Sequence, residues 1–197
     1  MKKRVLAGLF LLMLMVVPGV TYWFFKNAPK DNRLEESTAA FIHQETGAAL
    51  RYPEALVSSK QLSDKDQQEK IVFRATEKLQ NSPFLATLRY EEGLRIAASL
   101  AKVDTIELVL DGANKANPVR YPDYKKVSER RFQQDGKEAA EIIFTYTGLS
   151  KEVVKQRLIL IAKDDNTAFY LALQSREDAF DKQNSTIFEI IASSLKF

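Results

Sequence analysis

Very few side chains in this sequence are suited to acid–base chemistry. His43 is the only histidine, and histidine is the residue whose unperturbed pKa lies near neutral pH. No activating partner is identifiable along the chain, so we expect His43 to be a surface or hairpin residue. The serine pairs Ser58-Ser59 and Ser193-Ser194 lie in no nucleophile elbow. They therefore predict no hydrolase.

Two acidic clusters contain the residue types that hard cations prefer. Asp64-x-Asp66-x-x-Glu69 offers three carboxylates, and calcium and magnesium bind oxygen ligands. This cluster lacks the glycine and the spacing of a helix-loop-helix calcium site, which favours a solvated loop. Asp164-Asp165 lies between two apolar runs, where aspartate stabilises turns by local hydrogen bonds. We therefore predict no catalytic residue, no metal site and no cofactor.

The composition excludes further kinds of site. The chain has no cysteine, which excludes thiolate metal sites, disulfides and cysteine nucleophiles. Its 29 lysines and arginines exceed its 26 aspartates and glutamates by three, and residues 2 to 4 account for that excess. The rest of the chain is formally neutral, so the sequence predicts no basic surface for nucleic acid.

The first 25 residues have the pattern of a membrane anchor. Residues 5 to 25 carry no charge, and 21 helical residues span roughly 31 Å, about the thickness of a hydrocarbon core. Three basic residues precede this run and favour a cytoplasmic N-terminus: Lys2, Lys3 and Arg4. Four aromatic residues end it and favour the membrane interface: Tyr22, Trp23, Phe24 and Phe25. The rest of the chain would then lie outside the cytoplasmic membrane.

A cleaved signal peptide is the alternative interpretation of this segment. Residues 5 to 17 would form its apolar region, and Val17-Pro18-Gly19 would supply a tolerable cleavage site. We favour the anchor, because the secreted protein would begin with the exposed aromatic run that follows Gly19. Residues 26 to 40 are polar and contain a proline, which predicts a linker. Residues 41 to 197 are long enough for one domain.

The first half of this domain predicts strands followed by helix. Residues 41 to 56 predict a hairpin that turns near Thr46-Gly47, and residues 58 to 69 predict a charged loop. Two further segments have the β-branched and aromatic content of strands: residues 70–77 and 84–91. Between residues 93 and 117 the apolar period becomes helical, with Asp104 as a cap and Gly112 near the end. The two prolines in residues 115 to 124 predict a linker.

The second half predicts two tight hairpins. Asp135-Gly136 separates two strand patterns, and residues 163 to 166 separate the next two. Residues 158 to 162 and 168 to 173 are nearly continuous apolar runs, which is typical of strands covered on both faces. The fold class that follows is α+β, with a central antiparallel sheet flanked by helices on both faces.

Two closing helices are predicted from capping patterns. Ser175 with Asp178 forms one candidate start, and Thr186 with Glu189 forms the other. The last helix is expected to be amphipathic, because its isoleucines fall at helical spacing.

The second half also resembles a known family. The runs "EIIFTYTG" and "VVKQRLILIAKDDNTAFYLALQSREDAFDKQNSTIFEIIASSLKF" are similar to the C-terminal half of the PsbP-like superfamily. The "YPEAL" at residues 52 to 56 resembles an early signal of that family, with leucine in place of the usual tryptophan. The superfamily includes an extrinsic photosystem II subunit, a Ran-binding regulator and small bacterial envelope proteins. The resemblance implies an antiparallel sheet sandwiched by helices, and it carries no catalytic residue.

We therefore expect a membrane-tethered, non-catalytic binding or assembly module at the outer face of a bacterial cytoplasmic membrane, with an envelope protein as partner. Four basic residues form the candidate partner surface: Lys125, Lys126, Arg130 and Arg131. The alternative is that these four residues have no binding function. Charged residues alternate with apolar ones along any strand that has one exposed face. A carrier or sensor that holds a small apolar or anionic ligand between sheet and helix is the alternative, and a pocket would favour it.

Overall fold

The computed structural model describes residues 37–59, 62–77 and 84–197. The predicted anchor, with its basic lead and its aromatic end, lies outside these residues, as does most of the predicted linker. Within the described ranges, no helix has the length and apolar character needed to cross a membrane.

Nine strands are present in the described part of the chain, and seven of them form one antiparallel sheet of order β3-β4-β5-β9-β8-β7-β6. Strands β1 and β2 pair with each other as a separate hairpin. The strand bounds are β1 (Thr38–Ile42), β2 (Ala49–Pro53), β3 (Leu56–Ser58), β4 (Ile71–Glu77), β5 (Leu85–Glu92), β6 (Lys125–Gln134), β7 (Lys137–Thr147), β8 (Val153–Ala162) and β9 (Thr167–Arg176). Each of the segments predicted as a strand is therefore confirmed, whereas β3 was not predicted.

Helices cover both faces of this sheet. Their bounds are α1 (Asp64–Gln68), α2 (Leu94–Ala101), α3 (Thr105–Arg120), α4 (Glu177–Gln183) and α5 (Glu189–Ser194), with a π-helical turn at Asn184–Phe188 joining the last two. On one face, α2 and α3 bury Leu94, Ile106 and Val109 against Ile142 and Leu160. On the other, the C-terminal helices and the β1-β2 hairpin bury a second cluster that includes Phe188, Ile191, Ile159, Phe169 and Leu50. The predicted α+β sandwich is confirmed.

The two predicted turns are present. Asp135 and Gly136 have φ of 49° and 72°, the left-handed conformation that a two-residue hairpin requires. Asp164 Oδ1 accepts hydrogen bonds from the backbone N–H groups of Asn166 and Thr167, at 2.9 and 2.8 Å. These local interactions fix the register of β6 with β7 and of β8 with β9.

Three predictions about the helices are wrong. Residues 58 to 69 contain α1, because Ser63 and Asp66 form a reciprocal capping box. Helix α3 ends neither at Gly112 nor before Pro118, and it continues to Arg120. Its buried face extends from Ile106 to Asn117, and we infer that packing on the sheet outweighs the hydrogen bond that proline removes.

The predicted starts of the closing helices are also wrong. Helix α4 begins at Glu177, and no side chain caps it. Thr186 donates to the carbonyl of Lys182 inside a continuous helical segment, so it caps nothing. The π turn lets Phe180 and Phe188 both reach the same buried cluster.

The domain begins slightly earlier than the sequence predicts. Strand β1 starts at Thr38, so the predicted boundary at residue 41 lies inside this strand. The hairpin that follows is tied to the chain's end, because Ala49 and Lys196 form a β-bridge. The ring of Phe197 packs against that of Phe169 in a tilted arrangement, with 4.7 Å between the ring centroids.

Candidate functional site

The sheet face on which α2 and α3 pack is only partly covered. Helices α2 and α3 pack over β7, β8 and β9, and β5 and β4 extend beyond them. A groove of about 590 Å³ lies where the sheet emerges from under α3. That volume is in the range of small-molecule sites, so the groove is the candidate functional site.

The strand register brings distant residues together on the groove floor. Cα partners across four strands form a middle row of Arg74, Thr87, Ala172 and Leu158. The row next to it, toward the C-terminal end of α3, contains Leu85, Gln174 and Gln156. The row on the other side pairs Arg89 with Tyr170. The floor therefore combines polar side chains in every row with an apolar area at Ala172 and Leu158.

The wall of the groove is made by small residues of α3. Gly112, Ala113 and Ala116 line it, and Asp104 fixes the start of the helix by accepting a 2.7 Å hydrogen bond from the backbone N–H of Glu107. Small side chains leave open the space that larger residues would fill against Thr87 and Ala172. The groove therefore follows from the sequence of α3 as well as from the width of the sheet.

The arginines on the floor are held in place by neighbours. Arg74 donates to Asp66 Oδ1 at 2.5 Å. The guanidinium of Arg89 lies over the ring of Tyr170, 3.7 Å from its centroid. The Tyr170 hydroxyl donates to Glu91 Oε2 at 2.7 Å, and burial, together with Glu91, raises the Tyr170 pKa. Tyr170 is therefore a neutral support for Arg89.

Two polar groups of the groove lack protein partners. The Nδ2 atom of Asn117, which lines the groove, is buried and has no hydrogen-bond partner among the described residues. The Nε atom of Arg74 is buried and also has no hydrogen-bond partner. Buried polar groups are nearly always hydrogen-bonded in proteins, so a ligand that supplies acceptors would satisfy these two donors.

The residues singled out for chemistry lie elsewhere. His43 Nδ1 lies 2.8 Å from the Thr46 hydroxyl in the β1-β2 turn. Asp66 is committed to Ser63 and Arg74, and the Ser63 hydroxyl and Arg74 hold its pKa below the usual value against the effect of burial. Asp165 pairs with Arg95 at 2.8 Å. Within the described ranges, no group of three or more metal-binding side chains is close enough to hold an ion.

The predicted partner surface lies on the outermost strand, β6. Three of its four basic residues face acidic partners: Lys126 with Glu129, Arg130 with Glu141, and Arg131 with Glu107. Its charge is therefore largely compensated. The surface stays a prediction, and the structure adds no feature that favours it.

The groove was not found from sequence. Its floor residues alternate with buried ones along each strand, a pattern that also describes a strand facing water. One signal was present: Gln156 lies two residues before the apolar run of β8, and a polar side chain on a strand covered on both faces needs a partner.

Solved structures of the same fold are found despite very low sequence identity. PsbP from Synechocystis sp. PCC 6803 matches with a TM-score of 0.59 and 10% identity, covering 82% of this chain and 92% of that chain. The Ran-binding protein Mog1p from Saccharomyces cerevisiae matches at 0.53 and 9%, covering 82% and 96%. LpqN from Mycobacterium tuberculosis, involved in cell envelope biogenesis, matches at 0.52 and 13%, covering 81% and 90%.

Sequence comparison adds nothing to this likeness. No family model matches the chain, and no curated protein matches it. At these identities the likeness concerns the fold alone. The resemblance inferred from residues 141 to 197 is confirmed at that level: the chain has the PsbP-like fold.

Proposed function

We propose that this chain is a membrane-tethered binding module that acts at the outer face of the cytoplasmic membrane and performs no catalysis. The PsbP-like fold supports a binding or assembly role, since similar structures include a Ran-binding protein and a protein of cell envelope biogenesis. The uncharged run of residues 5 to 25 and the basic residues before it support the tether and its orientation.

The groove beside α3 is the observation that carries this proposal. It has the size of a ligand site, and its lining combines apolar side chains with a small number of polar ones, which are the features of small-molecule and peptide sites. Two buried donors of its lining support it further, Arg74 Nε and Asn117 Nδ2, because neither has a hydrogen-bond partner among the described residues. Between the two functions that the sequence left open, the groove favours the holding of a ligand between sheet and helix.

An envelope protein as partner stays a prediction. The basic residues on β6 give it little support, because Glu107, Glu129 and Glu141 compensate three of the four charges. A partner is still compatible with a ligand-binding groove, since a carrier must receive and deliver what it holds.

The test is ligand retention by the full chain in lipid nanodiscs. The protein is incubated with the small-molecule and peptide fraction of an envelope extract, washed, and analysed by mass spectrometry. Ala116→Trp is the blocking variant, because Ala116 lines the groove from the exposed side of α3. Val119→Trp is the matched control, because Val119 is on the same helix, is 89% exposed and does not line the groove.

We expect the wild type and Val119→Trp to retain the same molecules and Ala116→Trp to lose them. Retention that is equal in all three proteins would place the binding elsewhere. No retained molecule in any of them would contradict the proposal.

A further inference from the structure

The groove contains an arginine pair suited to an anionic group. Arg74 lies opposite Thr87 on the neighbouring strand, and Arg89 is two residues further along the same face of β5. Residues two apart on a strand are separated by about 7 Å, so the two arginines flank the position of Thr87 on the groove floor. A guanidinium has a fork of N–H donors that matches a carboxylate.

The carboxylates that line the groove do not satisfy this pair. Glu91 comes no closer to Arg89 than 4.0 Å, which is longer than a hydrogen bond, and its Oε2 already accepts from Tyr170. Glu69 lies 3.9 Å from Lys65. Arg74 does pair with Asp66, but its Nε–H is left unpaired. The groove therefore presents more N–H donors than acceptors at this end.

Two glutamines on the sheet lie at the opposite end. Gln156 and Gln174 are Cα partners there, and the Gln174 Oε1 accepts from the Tyr146 hydroxyl at 3.2 Å. The amide of Gln156 offers both a donor and an acceptor, which is the complement of a peptide group. Ala172 and Leu158 separate the two ends, so the middle of the ligand is apolar.

We propose that the groove binds the carboxyl-terminal end of a peptide. The terminal carboxylate contacts Arg74, Thr87 and Arg89, an apolar side chain packs on Ala172 and Leu158, and a backbone amide pairs with Gln156. The floor from Arg89 to Leu85 covers five residues of β5, a span of about 13 Å over four residue steps, which accommodates roughly four extended peptide residues. This inference rests on the proposed function, and it adds the chemical class of the ligand.

The test measures binding of two fluorescein-labelled peptides by anisotropy, with the full chain in nanodiscs. Both peptides have the sequence Ala-Leu-Val-Ala, one with a free carboxylate and one with a C-terminal amide. We expect the free acid to bind about ten- to a hundred-fold more tightly, as for hydrogen bonds to a charged group. Arg89→Gln should abolish this difference. Arg95→Gln is the matched control, because Arg95 pairs with Asp165 outside the groove and should retain it.

A competitor distinguishes peptides from simpler carboxylates. Octanoate has the charged group and the apolar chain but no amide, so Gln156→Leu should weaken the peptide acid and leave octanoate unaffected. Octanoate that displaces the peptide at equal concentration would overturn the peptide assignment. Equal affinity for acid and amide would overturn carboxylate recognition.

The two proposals fail separately. If neither peptide binds while the wild type still retains molecules that Ala116→Trp loses, the peptide inference is wrong and the groove remains a binding site. If the groove retains nothing in either experiment, both are wrong.

Discussion

At the scale of single residues, a buried ionic network holds the C-terminal helices to the sheet. Glu141 and Arg157 are 4% and 6% exposed and pair across β7 and β8. Arg157 also donates to Asn184 and Glu189, at 3.1 and 3.0 Å, and Arg130 supplies a second charge to Glu141. The network contacts both ends of the π turn, so we infer that it fixes the position of this segment.

Loss of Arg157 should be strongly destabilising. Arg157→Leu leaves a buried carboxylate with one exposed partner, Arg130, and removal of one member of a buried pair typically costs about 3–5 kcal/mol of unfolding free energy. Urea unfolding of the full chain checks this. Arg176→Leu is the control, because Arg176 and Asp178 are exposed and such pairs contribute at most about 1 kcal/mol. Similar losses in both variants would contradict the role of the network.

The same carboxylate predicts a pH dependence. Burial raises the pKa of Glu141, but the hydrogen bonds and charges of Arg130 and Arg157 outweigh burial and leave its pKa below the usual value. A carboxyl whose pKa is lower in the folded than in the unfolded protein stabilises the fold at pH values above the unfolded pKa, which is about 4.3 for glutamate. This stabilisation is lost as the pH falls through the pKa of the folded state. The wild type should therefore exceed Glu141→Gln in unfolding free energy at neutral pH, and the difference should shrink below about pH 4. A difference that is constant with pH would contradict this.

At the scale of elements, helix α3 shapes the candidate site. Its N-terminus is capped by Asp104, its buried face packs on β7, β8 and β9, and its small residues line the groove. The helix is longer than the sequence predicts. It continues through Pro118, which lies in its last turn.

The cap of α3 should have a measurable effect. Asp104→Ala removes the hydrogen bond to the Glu107 N–H, and loss of such a cap costs about 1 kcal/mol. Asp104→Asn keeps an acceptor and should cost less. Urea unfolding of both variants compares them, and equal losses would show that charge alone stabilises the helix start.

Replacement of the proline should stabilise the same helix. Pro118 is exposed and has no N–H to donate to the carbonyl of Asn114, so Pro118→Ala restores one helical hydrogen bond and removes a steric conflict. We expect a gain of roughly 1–3 kcal/mol. Val119→Ala, at the next exposed position, should change the stability by less than about 0.5 kcal/mol. A loss on Pro118→Ala would mean that the helix end is adapted to proline.

The sequence predicts elements better than it predicts the site, for a physical reason. Strands β7, β8 and β9 follow from local patterns, namely continuous apolar runs and the Asp135-Gly136 turn. The groove depends on which strands α3 leaves uncovered, and that is decided by packing between distant segments. Arg74, Arg89 and Gln156 meet only through the register of four strands.

At the scale of the whole molecule, the described domain is a sheet that helices cover unequally. One face is closed by the C-terminal helices and the β1-β2 hairpin, and the other remains open beside α3. An open sheet face that carries Arg74, Arg89 and Gln156 is suited to a ligand, whereas the closed face provides stability.

Topology is a separate prediction at this scale. An epitope after Phe197 should be cleaved by protease added to cells whose outer barrier has been removed, while the chain stays in the membrane fraction. This follows from the basic residues that precede the apolar run. Protection of the epitope would reverse the proposed orientation, and release of the chain from the membrane would favour a cleaved signal peptide.

Photo-crosslinking in living cells tests the central claim, that the groove binds a ligand, most directly. Benzoylphenylalanine replaces Thr87 on the groove floor in one variant and Val119 outside the groove in the other, and the full chain is recovered after irradiation for mass spectrometry. We expect a defined adduct at position 87, with the mass of a short peptide or small molecule, and none at position 119. The absence of an adduct at position 87, or the same adduct at both positions, would contradict the account.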